Sequence, residues 1–134
     1  ATARLNGRIG ETLNWQYYAT FALNQMEVDL RKVSALDQWK HVFSVAASPM
    51  KRLQLQVTGE YYRNEVVKDI YKDILLLDSK LTYNFSKVLE LSATLSNVFN
   101  KKSYDYTLYS EISSTTYEHR LRGREFLVSI YWKI

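Results

Sequence analysis

The amino-acid sequence predicts an all-β fold, an antiparallel, up-and-down wall of about six strands. Apolar and polar residues alternate along several segments of about eleven residues, as they do in strands with two unlike faces. The predicted connections alternate between short and long, and aromatic residues gather near the predicted strand ends. These three observations together favour a transmembrane β-barrel wall.

The composition limits the class of protein. The 134 residues suit one domain, and a hydrophobic share of 46% excludes disorder. Cysteine is absent, which excludes disulfides and thiolate metal sites. A net charge of +4, with scattered Lys and Arg, gives little support for nucleic-acid binding. No apolar run is long enough for a transmembrane helix, but barrels cross membranes with alternating strands.

The first predicted strand lies in TLNWQYYATFALNQMEVDL, residues 12–30. Its apolar face continues to Leu23, after which the apolar phase moves to Met26, Val28 and Leu30. A slip of one residue exchanges the two faces, so the sequence predicts a bulge or an exit from the apolar layer there. Residues 39–47 predict a second, less regular strand.

Four further segments alternate more clearly: residues 52–62, 75–85, 88–99 and 126–134. If the strands cross a membrane, their apolar side chains should face lipid and their polar side chains the lumen. The expected lipid face comprises Leu53, Leu55, Val57, Leu89, Leu91, Leu95, Val128 and Ile130. The expected lumen face comprises Gln54, Gln56, Glu90, Ser92 and Thr94.

The connections support a barrel in a membrane. Residues 31–38, 64–72 and 100–123 are predicted as long loops, whereas 48–51 and 86–87 are predicted as tight turns. This alternation is typical of transmembrane barrels, and eleven residues match the roughly 9–11 of a tilted crossing. An aromatic girdle is expected from Tyr61, Tyr62, Tyr83, Phe85, Phe99, Tyr131 and Trp132. A soluble sandwich or lipocalin-like barrel also predicts alternation and remains the alternative.

No motif for catalysis, nucleotide binding or metal binding occurs. The two histidines, His41 and His119, lie far apart without partners at ligand spacing. Ser, His and Asp occur, but without a nucleophile-elbow pattern. The sequence therefore predicts a protein that is not an enzyme and has no cofactor and no metal.

Two candidate sites lie in the segment before the last strand. The tyrosines of YDYTLYS (Tyr104, Tyr106 and Tyr109) could bind a sugar or chelate by stacking, or could pair across a hairpin. The arginines of EHRLRGRE (Arg120, Arg122 and Arg124) could contact lipopolysaccharide phosphates, or could form a solvated hairpin stem.

The stretch LSATLSNVFNKKSY (residues 91–104) is similar to the penultimate strand, and REFLVSIYWKI (residues 124–134) to the closing strand, of TonB-dependent outer-membrane receptors, particularly those of Bacteroidetes. The family usually closes on Phe, whereas this sequence has Ile134. The resemblance covers roughly residues 75–134 and is only a matching pattern over residues 1–64.

The resemblance implies that residues 1–134 are the C-terminal part of a transmembrane barrel domain, without its plug and remaining strands. About six crossings are fewer than the eight of the smallest bacterial barrels, which agrees with a portion of a larger barrel. The implied location is the outer membrane of a Gram-negative cell. The implied function is transport of a scarce nutrient, such as an iron chelate or an oligosaccharide.

The resemblance also implies partners: outer-membrane lipid, the rest of the barrel and its plug, TonB, and a surface lipoprotein, with no nucleic acid. Two alternative functions stay open. One is a structural or secretion-related outer-membrane barrel without TonB coupling. The other is a soluble β-barrel that binds a small apolar ligand.

Overall fold

The computed structural model describes residues 1–28, 31–67, 69–110 and 113–133. Within these ranges, the side chains of residues 24–28, 31–35, 67, 106, 108–110 and 113–114 lie outside the description.

The described chain forms nine strands. They are β1 (Thr2–Ile9), β2 (Leu13–Val28), β3 (Arg31–Met50), β4 (Leu53–Val67), β5 (Ile70–Asn84), β6 (Leu89–Ser96), β7 (Ser103–Ser110), β8 (Ser113–Arg120) and β9 (Glu125–Trp132). Seven of them form one antiparallel sheet in the order β1-β2-β3-β4-β5-β6-β9, here termed the wall. Strands β7 and β8 pair only with each other and form a separate hairpin. The predicted all-β, antiparallel class is confirmed.

The wall has seven strands, one more than the predicted number of about six. The additional strand is β1, which was not predicted because a short segment with Gly7 at its centre has a weak apolar face. Pairing with β2 along its whole length is what stabilises β1. The hairpin β7–β8 lies within the predicted long loop of residues 100–123, where Tyr, Thr and Ser replace clear alternation.

The other two predicted long loops are also wrong, because residues 31–38 and most of 64–72 continue the strands beside them. The ladder of β4 and β5 reaches the Glu65–Tyr71 and Val67–Ile70 pairs, beyond the regular apolar alternation. Backbone hydrogen bonds form whatever the side chains are, so two strands can stay paired beyond the residues in which apolar and polar side chains alternate. The predicted change of phase after Leu23 is confirmed as a register shift between Asn24 and Met26.

Cross-strand register sorts the wall into an apolar face and a polar face. One row runs through Ala47, Leu55, Leu81, Ala93 and Val128 on five neighbouring strands. The adjacent row, on the other face, runs through Ala46, Gln56, Lys80, Thr94 and Leu127. The two unlike faces predicted from alternation are therefore present.

The apolar face is the less covered of the two. Leu81 is 43% exposed, Val128 51% and Ile130 70%. On the polar face, by contrast, Ser92 is 3% exposed and Asn64 2%. The polar face is thus covered in part, at Ser92 and Asn64, and open elsewhere, for example at Leu127, which is 62% exposed. In an ordinary soluble sheet a second layer covers the apolar face instead.

Over β2, β4 and β5 the cover on the polar side comes from the hairpin. Strand β7 contacts β4, β2 and β5 of the wall, and its Thr107 is fully buried. Four apolar side chains of the described chain are buried, those of Leu36, Val42, Val66 and Ile74. By register, Val42 and Ile74 share the polar face with Tyr62 and Glu60. Val42 and Ile74 therefore lie on the same side of the wall as the hairpin.

No helix in the described ranges is long and apolar enough to cross a membrane.

The absence of a side chain at Gly7 leaves space for the indole ring of Trp15 on the neighbouring strand. Gly7 pairs with Trp15, and a Cβ built at Gly7 would lie 2.7 Å from the indole ring. We expect Gly7→Ala to lower the free energy of unfolding by about 1–3 kcal/mol, because the ring must leave its place. In a Trp39→Phe, Trp132→Phe background Trp15 is the remaining tryptophan. Its emission maximum should shift when Gly7→Ala is added. Alanine at Gly59, where a Cβ would meet Leu77 at an ordinary 3.7 Å, is the matched control and should leave that emission unchanged.

Candidate binding site beneath the tyrosine hairpin

The hairpin register decides how its tyrosines are placed. Tyr106 lies opposite Tyr117, Tyr104 lies opposite His119, and Tyr109 lies opposite Ser114. The hydroxyl groups of Thr107 and Thr116 lie 2.9 Å apart and join the two strands. The side chains of Tyr106 and Tyr109 lie outside the described residues. At the level of the backbone, the predicted cross-strand pairing is present for Tyr106 and Tyr117.

Tyr104 joins the hairpin to the wall. The Nδ2 of Asn64 donates to the Tyr104 hydroxyl at 2.8 Å and to the carbonyl oxygen of Asp105 at 3.3 Å. The Tyr62 and Tyr104 rings meet edge to face, with centroids 5.4 Å apart. An edge-to-face ring pair and a hydrogen bond from a buried amide both stabilise the folded protein and restrict the orientation of the tyrosine. Tyr104 is thus held in place on the polar face, half-buried.

A polar cluster continues from Tyr62 along the wall. The Tyr62 hydroxyl donates to Oε2 of Glu60, and Nζ of Lys40 lies 3.6 Å from the same oxygen. That ammonium also lies 4.9 Å from the Tyr62 ring centroid and 5.9 Å from the Tyr18 ring centroid. Both charged side chains are about one-third exposed, with 36% for Lys40 and 34% for Glu60. Glu60 also borders an open cleft on the polar side, so the cluster reaches open space there.

Asn97 fastens the root of the hairpin to the wall. Its Nδ2 donates to the carbonyl oxygens of Lys101 and Arg122, both at 2.7 Å, and its Oδ1 accepts from Lys101 N at 2.9 Å. Its own backbone N–H donates to Oδ1 of Asp78 at 2.7 Å. Asn97 is 8% exposed. One side chain therefore links the end of β6, the start of the hairpin and its return.

The three arginines predicted to bind lipopolysaccharide lie along that return, with exposed side chains. Arg120 pairs with Ser103 at the base of the hairpin. Arg124 donates its backbone N–H to Oδ1 of Asn100 at 3.0 Å. Arg122 borders a cleft, and its carbonyl oxygen accepts a hydrogen bond from Asn97 Nδ2. The placement agrees with the hairpin-stem interpretation, and phosphate contact stays a prediction.

Two clefts open beside the hairpin. The wall cleft, of about 220 Å³, is bordered by Glu60, Leu76, Asp78, Asn97 and Arg122. The root cleft, of about 240 Å³, is bordered by Lys72, Ile74, Lys101, Lys102, Tyr104 and Asp105. Both are small for a ligand pocket, whose usual range begins at about 300 Å³. They suit part of a larger solute or one small unit of it.

Tyr104 was predicted from the sequence as a site residue, but most of the residues around it were not. Lys40, Glu60, Tyr62 and Asn64 come together only because β3 and β4 pair in one particular register. Alternation alone places them on one face, which is the only signal that the sequence offered. Tyr62 and Tyr131, predicted as girdle residues, lie on the polar face by register. That part of the girdle prediction is wrong, because each is out of phase with the apolar face.

No group of three His, Asp or Glu side chains in the described ranges is placed to hold a metal ion. His41 lies on the apolar face, where its Nδ1 is 2.7 Å from the Tyr17 hydroxyl. Comparisons of the sequence with family models and curated proteins, and of the fold with solved structures, found no match.

Proposed function

We propose that this chain is part of the wall of an outer-membrane β-barrel, which takes up a solute through the side that the hairpin covers. The observation that carries the proposal is the placement of the hairpin. Its strand β7 lies on the polar face of the wall, while the apolar face is left open. In a soluble domain a second layer covers the apolar face. In a membrane barrel lipid covers it, and loops fold over the polar lumen.

The aromatic residues support a membrane-facing surface. At one end of the apolar face the Phe21 and Trp39 rings lie 4.4 Å apart, and Trp39 stacks on His41. At the other end Tyr83 meets Phe85 edge to face at 4.7 Å. On β5 ten residues separate Asp73, which shares the register row of Phe21 and Trp39, from Tyr83, or about 33 Å of strand at roughly 3.3 Å per residue. At the tilt of about 35–45° found in membrane barrels, this strand length spans roughly 25 Å of membrane. That is the scale of the roughly 25 Å apolar band of membrane barrels, with aromatic residues at its borders.

The edges of the wall support a larger barrel. In the described chain β1 and β9 are the outer strands and are not paired with each other. Seven wall strands are one fewer than the eight of the smallest bacterial barrels. We therefore propose that further strands complete the ring, which would remove both exposed edges.

Solute uptake is supported by the polar cluster and the two clefts beside the hairpin. Coupling to TonB, a plug domain and a surface lipoprotein partner follows from the sequence resemblance of residues 91–104 and 124–134. An iron chelate or an oligosaccharide is the proposed cargo, and Arg120, Arg122 and Arg124 are the proposed lipopolysaccharide contacts. A structural or secretion-related barrel would share the wall but would have no use for a solute-binding cluster.

Extraction and vesicle flotation test the membrane proposal. Expressed by itself, the chain should aggregate in buffer and become monodisperse only in detergent, because one apolar face and two strand edges are uncovered. After dilution from urea into phospholipid vesicles it should float with them. A monodisperse monomer in plain buffer that ignores vesicles would contradict the membrane proposal and favour the soluble β-barrel.

A further inference from the structure

The root cleft carries more positive than negative charge. Three lysines, Lys72, Lys101 and Lys102, border it together with Asp73 and Asp105. The charge of Asp73 is already offset by Arg63, whose Nε lies 3.9 Å from Asp73 Oδ1. The lysine side of the cleft therefore favours an anionic group.

Asp105 adds a second requirement. Its Oδ1 is buried and has no hydrogen-bond partner in the described part of the protein. Its backbone is held in place, because the Asp105 carbonyl oxygen accepts from Asn64 Nδ2. A buried carboxylate oxygen without a donor is unfavourable, and a ligand that donates to it would remove that penalty.

We infer that the root cleft binds an acidic sugar unit, a ring that carries both a carboxylate and hydroxyl groups. The carboxylate lies against the lysines, and a ring hydroxyl donates to Asp105 Oδ1 once the Asp105 side chain turns toward the cleft. The Tyr104 ring, held by Tyr62 and Asn64, borders the apolar side of the sugar. This inference rests on the proposed solute uptake and specifies the chemical class of the solute.

Inorganic anions without a proton and neutral sugars each meet only one of the two requirements. A fully ionised inorganic anion satisfies the lysines but has no donor for Asp105 and is repelled by it. A neutral sugar donates to Asp105 but leaves the lysines without a counter-charge. The combination of both groups on one ring distinguishes the acidic sugar.

Three probe ligands separate these contributions. Glucuronate carries carboxylate and hydroxyls, glucose carries hydroxyls only, and cyclohexanecarboxylate carries the carboxylate only. We would titrate each into the whole chain, folded in zwitterionic detergent, and follow the heat of binding. Glucuronate should bind at least about tenfold more tightly than either of the others, since each missing charge-assisted bond is worth roughly that factor.

Two kinds of variant test the assignment of residues. Lys72→Gln and Lys101→Gln should each weaken glucuronate binding several-fold, while Lys87→Gln should leave it unchanged. Lys87 is the matched control, since it lies in the turn between β5 and β6, beyond the opposite end of β5 from Lys72. Asp105→Asn should weaken glucuronate and strengthen cyclohexanecarboxylate, because it removes both a strong acceptor and a repulsive charge.

Equal binding of the three probes, no binding of any, or a shift of both acids in the same direction in Asp105→Asn would overturn the inference. The outcome is separable from that of the proposed function. A chain that floats with vesicles but does not distinguish the probes loses only the acidic-sugar assignment. A chain that distinguishes them but needs neither detergent nor lipid loses only the membrane proposal.

Discussion

Replacing Asn97 with alanine should lower the free energy of unfolding by about 3–5 kcal/mol, among the largest effects of a single substitution. The change removes three side-chain hydrogen bonds, to the Lys101 and Arg122 carbonyls and from Lys101 N. These groups lie at a site where water has little access, since Asn97 is 8% exposed. Asn97 also has a φ of 50°, in the left-handed region that alanine disfavours. Urea titration in detergent micelles, followed by circular dichroism, would measure the loss.

Glycine at the same position separates the two causes. Asn97→Gly loses the same hydrogen bonds but accepts the left-handed backbone, so it should be about 1–2 kcal/mol less destabilising than Asn97→Ala. Asn100 provides the matched control, because it has a φ of 54° and, among the described residues, one side-chain hydrogen bond, from Arg124 N. Asn100→Gly should change stability by less than about 1 kcal/mol. If Asn97→Ala were as mild as Asn100→Gly, Asn97 would not fasten the hairpin.

Arginine at Val128 should destabilise the lipid-inserted protein by about 2–4 kcal/mol, the penalty for a charge on the outer face of a barrel near mid-membrane. Val128 lies in the middle of β9, on the apolar face, opposite Ala93 and 51% exposed. Folding titrations in phospholipid vesicles would measure the difference. In a water-exposed sheet the same substitution at a half-exposed residue should cost no more than about 0.5 kcal/mol.

The neighbouring residues on the polar face provide the comparison. Ser129→Arg should cost much less than Val128→Arg, because the proposed lumen is wet. Since Ser129 lies opposite the buried Ser92, Leu127→Arg is a second control on the same face, at a residue that is 62% exposed. If Val128→Arg and Leu127→Arg lowered the stability in vesicles equally, the proposal that the apolar face contacts lipid and the polar face contacts water would be contradicted.

Much of the wall could be predicted from alternation. The segments at residues 52–62, 75–85 and 88–99 lie in strands β4, β5 and β6 or directly beside them, and the phase change after Leu23 marks a real register shift. Less of the candidate site could be predicted. Tyr104 was predicted as a site residue because its segment, YDYTLYS, is rich in tyrosine. Its partners Tyr62 and Asn64, however, lie about forty residues earlier in the chain. Nothing in the local sequence indicates which residues a hairpin will meet.

The sequence by itself determined that this protein is made of strands with two unlike faces, because a period of two in side-chain polarity is a local property of the chain. The tertiary structure alone decided that the hairpin covers the polar face and that Asn97 joins Lys101 to Arg122. It also extended β2–β5 past their alternating segments. These outcomes depend on strand register and on backbone hydrogen bonds between distant residues, which are available to almost any side chain and so leave little trace in the sequence.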